Sequence, residues 1–65
     1  MNNPHQAIVD FTAIIQQDAA NASALAGRGD AHAELGHYEQ AIADYSAAIQ
    51  LNPTGSLFYR RGNLQ

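Results

Sequence analysis

Sixty-five residues make one small domain, with 46% apolar residues, no cysteine and a net charge of −3 from three arginines and six carboxylates. A chain this short buries only about 60% of its unfolded surface, and lacking disulfides it must draw stability from well-formed helices and from association. Three arginines cannot build the phosphate-neutralising stripe of a nucleic-acid binder or the basic face that holds an anionic membrane. The opening MNNPHQAIVDFTAII has no basic leader and its apolar run is broken by Asp10 and Thr12. It is neither a signal peptide nor a membrane span, and a cytoplasmic location is the expectation.

In chain order the pattern predicts four helices. The first covers about 4 to 18, with Asn3 as its cap, Pro4 in the first turn, and Gln6 reaching back. Ala7, Ile8, Phe11, Ile14 and Ile15 give it an apolar face. A second helix runs over about 22 to 35 and stops where Gly36 can take a left-handed turn. The third, about 38 to 51, carries Tyr38, Ala41, Ile42, Tyr45, Ala48 and Ile49 at i, i+3, i+4, i+7 spacing. Pro53 lacks a donor and disfavours helical geometry at Asn52, so that helix ends near Leu51. A fourth begins near 56. No strand alternation is sustained, and short connections make successive helices antiparallel neighbours.

The chain repeats itself. At a shift of 34 residues QAIVDFTAIIQ (6 to 16) falls on QAIADYSAAIQ (40 to 50), with seven of eleven positions identical. At a shift of 33, Arg28-Gly29-Asp30 falls on Arg61-Gly62-Asn63, and Leu25 on Phe58. A period in this range marks a repeat architecture.

Residues 24 to 53, ALAGRGDAHAELGHYEQAIADYSAAIQLNP, resemble a tetratricopeptide repeat. Leu25 matches the large apolar residue of the first helix and Gly29 its small packing residue. Gly36 and Tyr38 match the turn and the opening of the second helix. Ala41, Tyr45 and Ala48 match its small-aromatic-small ladder, and Pro53 the closing proline. Arg28 stands where leucine is usual, His32 where tyrosine is usual, and Ala19 where the first unit would place a closing proline. The resemblance implies an all-α fold, an α-solenoid of antiparallel helix-turn-helix repeats, with four helices in B-A-B-A order. Residues 1–20 would be the second helix of one repeat, 21–54 a complete repeat, and 55–65 the first helix of the next. Gly29, Ala41 and Ala48 would let two backbones approach closely, with Tyr38 and Tyr45 filling the space beside them. The adhesion-like spelling Arg28-Gly29-Asp30 then falls inside a packed helix and carries no adhesion role.

Each outer helix lacks the mate that the repeat pattern expects for it. Repeat arrays need about three units and polar caps, so apolar surface is expected at both ends: Ile8, Phe11, Ile14 and Ile15 at one, Phe58, Tyr59 and Leu64 at the other. Arg28 and Asp44 should meet inside the complete repeat. Asp10 repeats Asp44 and Arg61 repeats Arg28, which suggests that they pair between chains in a head-to-tail homo-oligomer. Ordinary solvated charges, or a longer array, are the alternatives.

No chemistry-bearing constellation emerges. His32 and His37 are five apart across a helix end and do not share a face as an i, i+4 metal pair would, and His5 lies in another helix, so no metal site is expected. Gly27-Arg28-Gly29 lacks the third glycine and the preceding strand of a dinucleotide loop. Neither a nucleophile in a recognisable setting nor a cofactor motif is present, and no catalysis is expected. By resemblance, the concave face of such arrays is lined by first-type helices, here Ser23, Ala26, Gly27, Asp30, Ala33 and Glu34, then Tyr59, Arg60 and Asn63. Arg60 and Asn63 resemble part of a carboxylate clamp, but the positions on the preceding helix do not complete it. A small-residue groove with an acidic middle suits an apolar or mildly basic peptide or helix of a partner protein. The runner-up is a self-assembly element whose partner is itself.

Overall fold

The computed structural model describes residues 3–53, 61 and 62. Among them are three helices and no strand: α1 (Pro4–Gln17), α2 (Ala22–Glu34) and α3 (Tyr38–Leu51). Each lies within a residue of its expected bounds. Of the expected fourth helix only Arg61 and Gly62 are described, both helical; the rest of it lies outside the described residues.

The helix ends follow from their capping chemistry. Asn3 Oδ1 accepts from the backbone N–H of His5 at 2.9 Å and of Gln6 at 3.4 Å, satisfying two donors that the first turn leaves without partners. Gln6 does not reach back as expected. Its Nε2 donates forward to Asp10 Oδ1 at 3.0 Å, one turn along the same face, where a carboxylate is the stronger acceptor. Asn21 caps α2 in the same manner, accepting from Ala24 N–H at 2.9 Å. At the other end of α2, Gly36 has φ +79. The His37 N–H bonds the His32 carbonyl at 2.9 Å and the Gly36 N–H bonds that of Ala33 at 3.0 Å. This crossed pair is the Schellman arrangement that closes a helix over a left-handed glycine. α3 stops at Asn52, whose N–H still reaches Ala48 O at 2.8 Å before Pro53 ends the ladder.

α2 is the central helix, packed on α1 on one side and on α3 on the other. Its contact with α3 is the core. Leu25, Ala26, Ala48 and Ile49 form one apolar cluster against which Ile15, Ala22 and Ala47 also pack. Ala41 and Ala48 are fully buried. A Cβ at Gly29 would lie 2.7 Å from the Tyr45 ring, so only glycine lets that buried ring lie against the α2 backbone. The expectation for Tyr38 fails: it is 53% exposed. It is the first residue of α3, and the α2 glycine that receives a ring from α3, Gly29, lies against Tyr45. α1 has no buried residue, and it adheres through Phe11 and Ile15.

Candidate protein-interaction groove

Where α1 crosses α2 an open groove of about 260 Å³ is lined by Pro4, Ala7 and Phe11 from α1 and by Gly27, Asp30, Ala31 and Glu34 from α2. The α2 members fall at i, i+3, i+4 and i+7, one continuous stripe of a helix. Phe11 sets the floor. A Cβ at Gly27 would lie 2.5 Å from Phe11 Cζ, so the tip of the ring meets the α2 backbone where only a hydrogen stands. The relation repeats that of Tyr45 to Gly29, and the two aromatics stand at matching positions of the internal repeat.

One wall of the groove is acidic. Asp30 and Glu34 are one turn apart on α2, and among the described residues no cationic side chain lines the groove. Asp30 is held in place: the Tyr45 hydroxyl donates to its Oδ1 at 2.5 Å. Behind the groove, Arg28 ties the three helices together. Its Nε and Nη2 donate to Asp44 Oδ2 and Oδ1, both at 2.8 Å, and its Nη1 donates to Thr12 Oγ1 at 3.3 Å. The expected Arg28–Asp44 contact is therefore made, as a two-point grip on a carboxylate only 7% exposed. That hydrogen-bonded carboxylate holds the Arg28 guanidinium above its ordinary proton affinity.

At the α2–α3 turn, His32 Nδ1 and His37 Nδ1 come within 3.4 Å, with ring centroids 5.6 Å apart. His32 Nε2 lies 3.9 Å from Asp44 Oδ2. Desolvation lowers the proton affinity of His32, outweighing the attraction of Asp44, and the His37 and Arg28 charges act in the same direction as burial. The helix-face count that separated these two histidines does not hold beyond Gly36, because the left-handed turn brings His37 back over the last turn of α2.

The residues expected to line a concave face divide. Gly27, Asp30 and Glu34 line the groove, Ser23 is exposed and Ala33 half-buried. Ala26 is a correction: it is 8% exposed, inside the Leu25–Ile49 cluster, and offers no surface to a partner. Tyr59, Arg60 and Asn63 lie outside the described residues. Of the residues expected at open ends, Ile15 packs inward against the core cluster, Phe11 lies on Gly27, and Ile8 is half-buried. Ile14 is open at 42%, and Asp10 is exposed. Arg61 is half-buried, while Phe58 and Leu64 lie outside the described residues. Sequence reasoning missed Val9, the most exposed large apolar residue of α1 at 61%. It also missed Pro4, Ala7 and Ala31 as groove residues. Ala31 could have been found from the Gly27, Asp30, Glu34 spacing that it completes.

Among the described residues no three His, Cys, Asp or Glu side chains converge on a common point. No described helix is long and apolar enough to cross a membrane.

A profile of the family described as tetratricopeptide repeat matches residues 22–54, the span of α2, α3 and the turn that joins them. The Protein SGT1 homolog of rice (Oryza sativa subsp. japonica) is 39% identical over 51 residues, which cover 78% of this chain and 14% of that protein. This chain thus spans a small part of the relative it matches. No solved structure matches it.

Proposed function

The chain belongs to the tetratricopeptide-repeat family, and from that premise we propose that it is a non-catalytic interaction module holding a peptide or helix of a partner protein in the α1–α2 groove. Members of such a family act through protein partners, so the question is which surface receives them. The observation that carries the reading is the groove itself, an aromatic floor at Phe11 beside the Asp30 and Glu34 carboxylates. An apolar side chain would replace water over the ring, and a lysine or arginine beside it would meet the acidic wall. The partner segment is apolar and mildly basic.

Fluorescence anisotropy with a labelled amphipathic peptide of leucine and arginine tests this. Binding should weaken with added salt, weaken again in Glu34→Lys, and be lost in Phe11→Ala. An acidic peptide of the same apolar content should bind worse. Equal affinity for both peptides, or no binding at low salt, would remove the reading.

A second reading, self-assembly, is favoured by the exposed Val9 and Ile14 on α1. Asp10 accepts from Gln6 of its own helix, whereas its repeat Asp44 is gripped by an arginine. A second copy would cover this surface. Light scattering against concentration decides it: a discrete dimer or trimer that Ile14→Glu returns to monomer supports self-assembly, and a monomer throughout excludes it.

A further inference from the structure

We propose that His32 and His37 form a two-imidazole site for a divalent zinc-type cation at the α2–α3 turn, with both Nδ1 atoms as ligands. This site is separate from the groove and does not depend on the interaction reading.

The backbone brings the two rings together. In a Schellman closure the residue after the left-handed glycine stands against the residue three positions before the helix cap, and an apolar pair commonly fills that contact. Here the two positions are His37 and His32, joined by the 2.9 Å bond from His37 N–H to His32 O. The turn brings the two residues together, and their rings meet at the surface, His32 half-buried and His37 exposed.

The distance between them is compatible with a shared cation. With the two Nδ1 atoms 3.4 Å apart, any direct hydrogen bond between the rings is a long one. Two nitrogens on a tetrahedral zinc at about 2.0 to 2.1 Å stand about 3.3 to 3.4 Å apart. The observed spacing is that tetrahedral edge. Imidazole is a ligand suited to zinc, copper and nickel, and poorly suited to magnesium or calcium.

The other side of His32 fits the same role. Metal-bound histidines typically direct their second ring nitrogen at a carboxylate, which fixes the tautomer. His32 Nε2 faces Asp44 Oδ2 at 3.9 Å, and Asp44 is fixed by its two bonds to Arg28. At 3.9 Å the His32–Asp44 approach is an electrostatic contact and not a hydrogen bond; it favours the tautomer protonated at Nε2, which leaves the Nδ1 lone pair for a cation. With no third His, Cys, Asp or Glu converging there among the described residues, water or a partner's side chain completes the coordination.

The test uses the 65-residue chain stripped with a chelator, with zinc chloride as the probe. Calorimetric titration should show one zinc per chain. At a hundredfold excess over Kd, the folded-to-unfolded ratio should rise by about a hundredfold, read as a higher Tm. Magnesium chloride should do nothing. His37→Ala should abolish both signals, and His5→Ala, in α1, should keep them. Should His37→Ala lose helicity, His37→Gln replaces it. Ring-nitrogen NMR of the wild type then reads the site directly, with the Nδ1 signals of His32 and His37 shifting together. A response that survives loss of His37, a response that depends on His5, or no saturable binding would each overturn the site. Failure of peptide capture in the groove would leave this result untouched.

Discussion

At the scale of single residues, two contacts decide most of the packing. Gly29 is one. Alanine there would gain about 1 kcal/mol of helix propensity, but its Cβ would stand 2.7 Å from a ring that is 2% exposed and tied through its hydroxyl to Asp30. Overpacking a filled core costs about 1 to 3 kcal/mol. Gly29→Ala should therefore destabilise, by up to about 2 kcal/mol once the propensity gain is set against that cost, as read by urea denaturation. Gly27→Ala faces a half-buried Phe11 that can swing outward, so stability should change less while the groove loses its floor. The second contact is Arg28 with Asp44. Arg28→Ala would leave a carboxylate 7% exposed without its cation. Breaking a fully buried pair costs about 3 to 5 kcal/mol, and the partial exposure of Arg28 places this one below that range. Asp44→Asn in the Arg28→Ala background should recover part of the loss, because it removes the stranded charge. A double variant no more stable than the single one would count against this account.

At the scale of the element, the α2–α3 turn is where protonation acts on stability. His32 has its proton affinity lowered in the folded state, with desolvation as the leading cause. The unfolded chain therefore binds a proton more readily than the folded chain does. Stability linked to His32 is complete above its ordinary pKa of about 6.5 and declines as pH falls from there toward the lower folded value. In metal-free buffer, Tm should fall as the pH is lowered through that window, and His32→Gln should flatten that part of the curve. An unchanged slope in the variant would count against His32 as its source. The turn also shows why sequence reasoning found these histidines and then set them aside. Gly36 was legible as a helix stop, but counting positions along one straight helix separates His32 from His37. Only the left-handed geometry at φ +79 carries the chain back so that the rings face.

At the scale of the whole molecule the three described helices are not equal. α2 is packed on both sides, α3 buries Ala41, Tyr45, Ala48 and Ile49, and α1 has half-buried residues but no fully buried one. Local opening should start where few apolar contacts hold. Amide hydrogen exchange should therefore be fastest in α1 and slowest in the facing turns of α2 and α3. A partner in the α1–α2 groove, or a second copy on α1, should slow α1 most. Uniform protection of all three helices in the chain alone would mean that α1 is part of one cooperative unit.

By itself the sequence determined the three described helices and their ends, and the internal repeat. Asn3, Gly36 and Pro53 act within one turn of their own position, and the seven identities between 6–16 and 40–50 are visible without any packing. It also determined the Arg28–Asp44 contact, because opposite charges at matched heights on two adjacent helices have few other ways to meet. Tertiary structure alone decided which apolar side chains turn inward. Ile15 and Phe11 lie against α2, Val9 and Ile14 point outward, and Tyr38 stands in the open although its spacing matches that of Tyr45. The reason is physical. Spacing places a residue on a face of its helix, but whether that face is covered depends on the height and angle at which a second helix crosses it.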